Sequence, residues 1–240
     1  MKSNKFAVFI DKVDQWDKRI IGKCNGIGGK YITFFLKQVS FFGRETLWLF
    51  LIAFYLFLWY NPLSLSYIGA TFLCGVILIL SIKNAVKRER PFETLEDIKV
   101  LENHPTSRSF PSWHTYNVAS QGIVLGVVFN SYLILLVFAV LAVFVAFSRV
   151  QLGVHYPSDV VIGCILGILG GFLTLLIIGP FTHFIITCLE QFALHKIEYN
   201  SLNSRLGEAW YLIICIAIFG VIFFSAEYKT LKKIIKKYRN

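Results

Sequence analysis

Between two apolar runs, the segment SRVQLGVHYPSDV (148–160) carries an arginine, a histidine and an aspartate. His155 and Asp159 are four residues apart where an apolar segment begins, which puts both side chains on one helix face. A carboxylate accepting from one imidazole nitrogen fixes the tautomer and frees the other nitrogen as a nucleophile. Two earlier clusters carry complementary groups: KNAVKRERP (83–91), with Lys83, Arg90 and Pro91, and PSWH (111–114), with Ser112 and His114. Lys83, Arg90 and Arg149 repel one another when gathered unless a polyanion sits among them. A guanidinium fork fits phosphate oxygens and an ammonium adds a point charge. Ser112 can donate to the same anion, as can Ser148 beside Arg149. His114 is suited to protonating a leaving oxygen. Taken singly, each group has a plainer role: a cation snorkelling to lipid heads, an interfacial histidine, a helix-start carboxylate. Taken together in this order, they describe a phosphate clamp, a nucleophile with its orienting partner, and a proton donor.

The elements that must position these groups are apolar. The chain of 240 residues is 56% hydrophobic and only 16% charged, a balance of membrane proteins rather than soluble domains. Six apolar segments read as transmembrane helices of an all-α bundle. They run over about Thr46–Tyr60, Leu65–Ile82, Trp113–Phe129, Tyr132–Phe147, Asp159–Ile178 and Trp210–Phe224. Gly163, Gly167 and Gly171 repeat every four residues in the fifth and predict close helix packing. Ahead of the spans, Phe6, Phe9, Ile10, Val13, Trp16 and Ile20 recur at helical spacing among charges and predict an amphipathic helix on the membrane surface. The expected organisation is an amphipathic segment over 1–45, a transmembrane domain carrying the site over 46–228, and a basic tail over 229–240.

With alternating spans, the polar connection from Lys83 to Pro111, the 148–160 segment and both termini emerge on one side. The net charge of +10 is concentrated in the terminal blocks, which records membrane orientation and disfavours nucleic acid as a partner. The basic side is cytoplasmic by this rule. The five cysteines are scattered, with no CxxC or Cys/His cluster, so neither zinc nor a disulfide framework is indicated.

The pattern Lys-x6-Arg-Pro, Pro-Ser-x-His, Ser-Arg-x5-His-x3-Asp over Lys83 to Asp159 resembles the type 2 phosphatidic acid phosphatase superfamily of membrane lipid phosphatases. The resemblance implies that Lys83, Arg90 and Arg149 bind phosphate with Ser112 assisting. It further implies that His155 forms a phosphohistidine, Asp159 orients it, and His114 protonates the leaving alkoxide, with no metal or other cofactor. The implied partner is a phosphorylated lipid in the bilayer: phosphatidic acid, phosphatidylglycerophosphate, a polyprenyl (pyro)phosphate or phosphorylated lipid A. The family commonly has glycine where this chain has Trp113, which bears on substrate size. Many bacterial members work at the outer face of the plasma membrane, against the charge bias here. A lipid phosphotransferase using the same site, and a lipid transporter whose charges mark a pathway, are the alternative readings.

Overall fold

The computed structural model describes residues 5–193 and 197–239, and the described residues form an all-helical bundle. Helices α1 (Lys5–Cys24) and α2 (Gly29–Ser40) precede α3 (Glu45–Ala53), which is extended by a π-helical turn over Phe54–Leu58. The long α4 (Pro62–Val86) and the single-turn α5 (Pro91–Thr94) follow. Next come α6 (Trp113–Val128), α7 (Tyr132–Gln151) and α8 (Pro157–Leu173). A second π-helical turn (Thr174–Ile178) leads to α9 (Gly179–Glu190), and the long α10 (Ala209–Arg239) ends the chain.

The six expected spans correspond to α3, α4, α6, α7, α8 and the first part of α10. Among the described residues, three helical runs are long and apolar enough to cross a bilayer: Pro62–Thr94, Tyr132–Gln151 and Pro157–Glu190. A fourth exists if Gly29–Gly43 and Glu45–Leu58, bent by 46°, are one broken span. The protein is therefore an integral membrane protein. Two features depart from the sequence reading. Helix α2 was not expected, and the fifth span does not end at Ile178. Pro180 falls in the first turn of α9, and the π-helical turn before it absorbs the misfit of a missing N–H donor, so the helix continues to Glu190.

Helix α6 is the centre of the bundle and packs against α4, α7 and α8. Its polar residues Thr115, Asn117, Ser120 and Gln121 are fully buried. A buried amide costs free energy unless it finds a partner. Asn117 Nδ2 donates to Gly43 O at 3.1 Å and Gln121 Nε2 to Ile68 O at 3.1 Å, tying α6 to the α2–α3 bend and to α4. The glycine face of α8 meets α6 as its spacing predicts. A Cβ on Gly167 would stand 2.6 Å from Tyr116 O, and one on Gly163 2.5 Å from Ser112 O. These glycines let α8 approach the start of α6, where Ser112 N donates to Asp159 O at 3.0 Å.

Local chain chemistry delivers the polar segments to one end. Asn61 caps α4 by accepting from Ser64 N at 2.7 Å, with Pro62 in the first turn. At the other end Lys87 adopts a left-handed conformation (φ 52°), which stops α4 and turns the chain so that Arg88 and Arg90 fold back over it. At the opposite end of the bundle, Tyr60 and Tyr199 donate to the two oxygens of Glu190 at 2.6 and 2.8 Å, fastening the end of α9 to the α3–α4 turn.

The amphipathic helix forms as α1, and Phe9 and Trp16 on its apolar side are exposed, as a surface helix in contact with lipid requires. The face turned to the bundle carries Asp17 and Ile21, both fully buried. Substituting Gly167→Ala should force α8 away from the α6 backbone, at about 1–3 kcal/mol for overpacking. Thermal unfolding in detergent should show a clear loss of stability for this variant. Gly69→Ala, whose new Cβ meets nothing within 4 Å, should show none.

Candidate functional site

Several chain segments meet at one end of the bundle, among them the C-terminal half of α4, the α4–α5 connection, residues 105–107, the start of α6, the last turn of α7 and the α7–α8 junction. They enclose a cavity of about 420 Å³ lined by Lys83, Arg90, His114, Arg149 and His155, with Phe72, Val76, Leu80 and Trp113 forming an apolar wall. Lys83, Arg90, Arg149 and His155 are each at most 5% exposed, and Asp159 is fully buried.

The α7–α8 turn explains how His155 arrives there. Gly153 sits at φ 76°, and a Cβ would stand 2.5 Å from Lys99 O, so only glycine fits. The turn brings Val154 N and His155 N to Arg149 O, each at 3.2 Å, which locks the arginine and the histidine into one unit. Pro157 starts α8, and Asp159 in its first turn accepts from Tyr156 N at 2.9 Å.

The cations are held by backbone oxygens and one carboxylate. Lys83 Nζ donates to Arg108 O. Arg90 donates from Nε to Ser107 O and from Nη1 to Val154 O, both at 2.7 Å. Arg149 donates from Nη2 to Glu102 Oε1 at 2.6 Å and from Nη1 to Glu102 Oε2 at 3.0 Å, a two-pronged pair. Its Nη1 also reaches Ser40 Oγ at 2.7 Å. A carboxylate thus occupies the fork that matches phosphate oxygens in geometry and charge.

His155 is the centre of the cluster. Its Nε2 lies 3.4 Å from Arg90 Nη1, on the cationic side. Its Nδ1 lies 3.5 Å from Asp159 Oδ2, and no hydrogen bond closes that gap among the described residues. Asp159 Oδ2 already accepts from Ser109 Oγ and Tyr156 N, while Oδ1 accepts from Arg88 Nη1 at 2.8 Å. Burial holds the imidazole well below the usual histidine range, and the charges of Arg90, Arg149 and Lys83 press in the same direction.

Of the residues singled out by sequence, Lys83, Arg90, His114, Arg149 and His155 share the cavity, with Asp159 directly behind His155. Ser112 is fully buried at the start of α6, and its hydroxyl has no hydrogen-bond partner among the described residues. Ser148 is different. It is fully buried and its hydroxyl donates to Val145 O of its own helix at 2.7 Å, so it does not line the cavity. A serine within a helix has a carbonyl one turn back within reach, which competes with any external ligand. Trp113 lies against the cavity wall, edge-on to Phe72 (ring centroids 5.6 Å) and stacked on Tyr116 (6.0 Å).

Sequence reading missed Glu102, Ser40, Ser109, Arg88 and Asp17. Arg88 lies inside the first basic cluster and was visible as a spare cation. The others carry no local signal, because their partners are distant in the chain.

Such an arrangement has the charge to take an oxyanion beside an imidazole nitrogen. The comparisons agree with the geometry. Residues 59–182 match the family described as the PAP2 superfamily. The undecaprenyl-diphosphatase of Sulfolobus acidocaldarius is 31% identical over 130 residues, covering 54% of this chain and 62% of that protein's length. The crystal structure of Aquifex aeolicus LpxE superposes with a TM-score of 0.57 at 25% identity, over 67% of this chain and 94% of that one. The transmembrane PAP2-type phosphatidylglycerolphosphate phosphatase of Bacillus subtilis gives 0.58 at 23% identity, over 77% and 90%. The fold, the order of the three motifs and their meeting in one cavity lead to the same conclusion: the chain belongs to the PAP2 superfamily.

Proposed function

We propose that this protein is a membrane phosphatase that hydrolyses a lipid phosphomonoester or lipid diphosphate through a phosphohistidine, without a metal. The observation that carries the reading is the shared cavity: three buried cations and two histidines on one side, and the apolar residues of α4 and Trp113 on the other. A head group can lie among the cations while its first hydrophobic carbons lie against Phe72, Val76 and Leu80. The name of the undecaprenyl-diphosphatase relative supports a polyprenyl diphosphate as the first lipid to test. The basic N-terminal block docks at the site end, through Asp17 on Ser158 and Ser40 on Arg149, which supports the cytoplasmic leaflet of the plasma membrane.

In the reaction, phosphate oxygens replace Glu102 on Arg149 and the carbonyl groups on Lys83 and Arg90. Ser112 does not line the cavity, and its buried, unpartnered hydroxyl reaches the same group only once the start of α6 shifts. His155 Nε2 attacks phosphorus as the bond to the lipid oxygen breaks, and His114, protonated once the anionic head group offsets the surrounding cations, delivers a proton to that oxygen. Asp159 offsets the charge that develops on the imidazole once the Nδ1 contact tightens. Water, giving a proton to the His114 that has just lost one, then attacks phosphorus; the P–N bond breaks, inorganic phosphate leaves, and both rings return to their starting protonation. Transfer to another acceptor instead of water defines the phosphotransferase alternative.

Purified protein should release inorganic phosphate from a polyprenyl diphosphate in detergent, with no added acceptor and with excess chelator present. His155→Ala should reduce turnover by at least about 10³-fold, as loss of a covalent nucleophile does. Release that requires an added acceptor would favour the phosphotransferase, and release that requires Mg²⁺ would remove the metal-free route.

The depressed His155 pKa also has a sign that can be checked. The nucleophile must be neutral, so the acid limb of kcat/KM should fall below about pH 6.5, the unperturbed histidine value. A bound phosphate opposes the surrounding cations, so the limb in kcat should lie at higher pH than the limb in kcat/KM. Stability should follow the same group. The unfolded chain takes up the extra proton between the two pKa values, so stability should rise with pH through that window and level off above about 6.5.

Glu102→Gln removes the charge that competes for Arg149. Vanadate and inorganic phosphate should then inhibit several-fold more tightly, measured as a lower inhibition constant, while the melting temperature drops because a buried guanidinium has lost its counter-charge. Unchanged inhibition would mean that Glu102 stays in place during turnover.

A further inference from the structure

Asp17 lies on α1, outside the stretch that matches the family, yet its side chain is fully buried. Its Oδ1 accepts from Ser158 N at 2.8 Å. Its Oδ2 accepts from Ser158 Oγ at 2.5 Å and from Arg88 Nη2 at 2.6 Å. Arg88 carries the contact onward, because Nη1 donates to Asp159 Oδ1 at 2.8 Å and to Ser158 Oγ at 2.7 Å. Its guanidinium lies over the Tyr156 ring, 4.1 Å from the centroid, which holds the fork in one plane. One arginine therefore bridges two buried carboxylates, and one of these stands behind the imidazole of His155. Neither Asp17 nor Arg88 lines the cavity.

We propose that Asp17 and Arg88 are positioning residues, and that docking of α1 sets how strongly Asp159 supports the reacting imidazole of His155. The inference rests on the phosphohistidine reading for its catalytic consequence, but its electrostatic content is separate. The three charges form a row: negative on Asp17, positive on Arg88, negative on Asp159. Asp17 draws part of the Arg88 charge away from Asp159. Without Asp17, Arg88 acts on Asp159 alone, Asp159 becomes a weaker acceptor for His155 Nδ1–H, and the imidazolium is less favoured. Without Arg88, Asp159 faces His155 with its full charge and the imidazolium is more favoured. The two substitutions thus push His155 in opposite directions, and no purely structural role for the network does that.

The other groups facing His155 are the same in both variants. They are Lys83 from α4, Arg90 before α5, His114 from α6, and Arg149 from α7 with Glu102 on it. Around Arg88 the remaining charge is Asp14 of α1, 4.0 Å from Nη2 and paired with Lys18.

The test uses the full chain in detergent with ¹⁵N-labelled histidine, following the His155 ring by NMR against pH and measuring kcat and KM on the same samples. Asp17→Asn should lower the His155 titration midpoint and reduce kcat by about 10-fold, the scale on which an outer partner of a reacting group acts, with KM nearly unchanged. Arg88→Gln should raise the midpoint and also reduce kcat. Arg88→Lys, which keeps the charge but loses the fork, should bring the midpoint back toward wild type, and this holds the test open if Asp17→Asn loosens α1. Asp11→Asn, whose side chain is exposed and, among the described residues, bonds only Gln15 in its own helix, should match wild type in both measurements. Midpoints that move in the same direction, or not at all, overturn the inference. If His155→Ala keeps its phosphatase activity, the catalytic reading fails instead, and the titrations still decide whether Asp17 and Arg88 act on the ring.

Discussion

Three cations held almost out of reach of water are the constraint around which this molecule is built. Lys83, Arg90 and Arg149 come from different segments, share one cavity, and repel one another there. Burying even one such charge costs several kcal/mol unless something offsets it. Each is met by oxygen: backbone carbonyls from residues 107–109 and 154, and the carboxylate of Glu102. These contacts offset the burial of the charges, and in the proposed reaction they are the ones a phosphate replaces. The segment from Leu95 to Pro111 supplies most of these oxygens, so the proposed reaction requires it to yield to the substrate.

The helical frame follows from the same requirement. Cations from α4 and α7 and a histidine from the α7–α8 turn can meet only if α8 comes close to α6, and the glycines of α8 permit that approach. The central helix is polar where a lipid-facing helix cannot be, because its amides and hydroxyls are shielded on all sides by α4, α7 and α8. The apolar character of the chain shields the cavity laterally, and the charged side chains gather at one end of the bundle.

Much of this was legible from residue types and spacing. The three motifs identified Lys83, Arg90, Ser112, His114, Arg149, His155 and Asp159, because their chemistry is unusual beside apolar spans and their order is specific. The alternation of apolar and polar segments gave the helices that hold them. The rest was not legible, for definite reasons. Asp17 reads as one more charge on an amphipathic helix, and only the fold reveals that this face meets Arg88. Glu102 sits in an irregular segment with no period. Ser148 looked like a ligand by its place beside Arg149, but a hydroxyl in a helix can spend its bond on the preceding turn. Helix α2 was hidden because its apolar residues are short of a full span and its bend into α3 divides the hydrophobic signal.

The length of the α8–α9 run bears on what happens far from the chemistry. Its 34 residues, Pro157–Glu190, extend about 51 Å at 1.5 Å per residue, against a hydrocarbon core of about 30 Å. Leaning at the roughly 40° limit seen for membrane helices still leaves about 9 Å to spare. The surplus must be taken up by local thickening of the bilayer or by the ends of the run lying in the interface. At the end remote from the histidines, Glu190 accepts from two tyrosines and fastens the run to the α3–α4 turn, so whatever strain the mismatch imposes there is shared with the neighbouring helices.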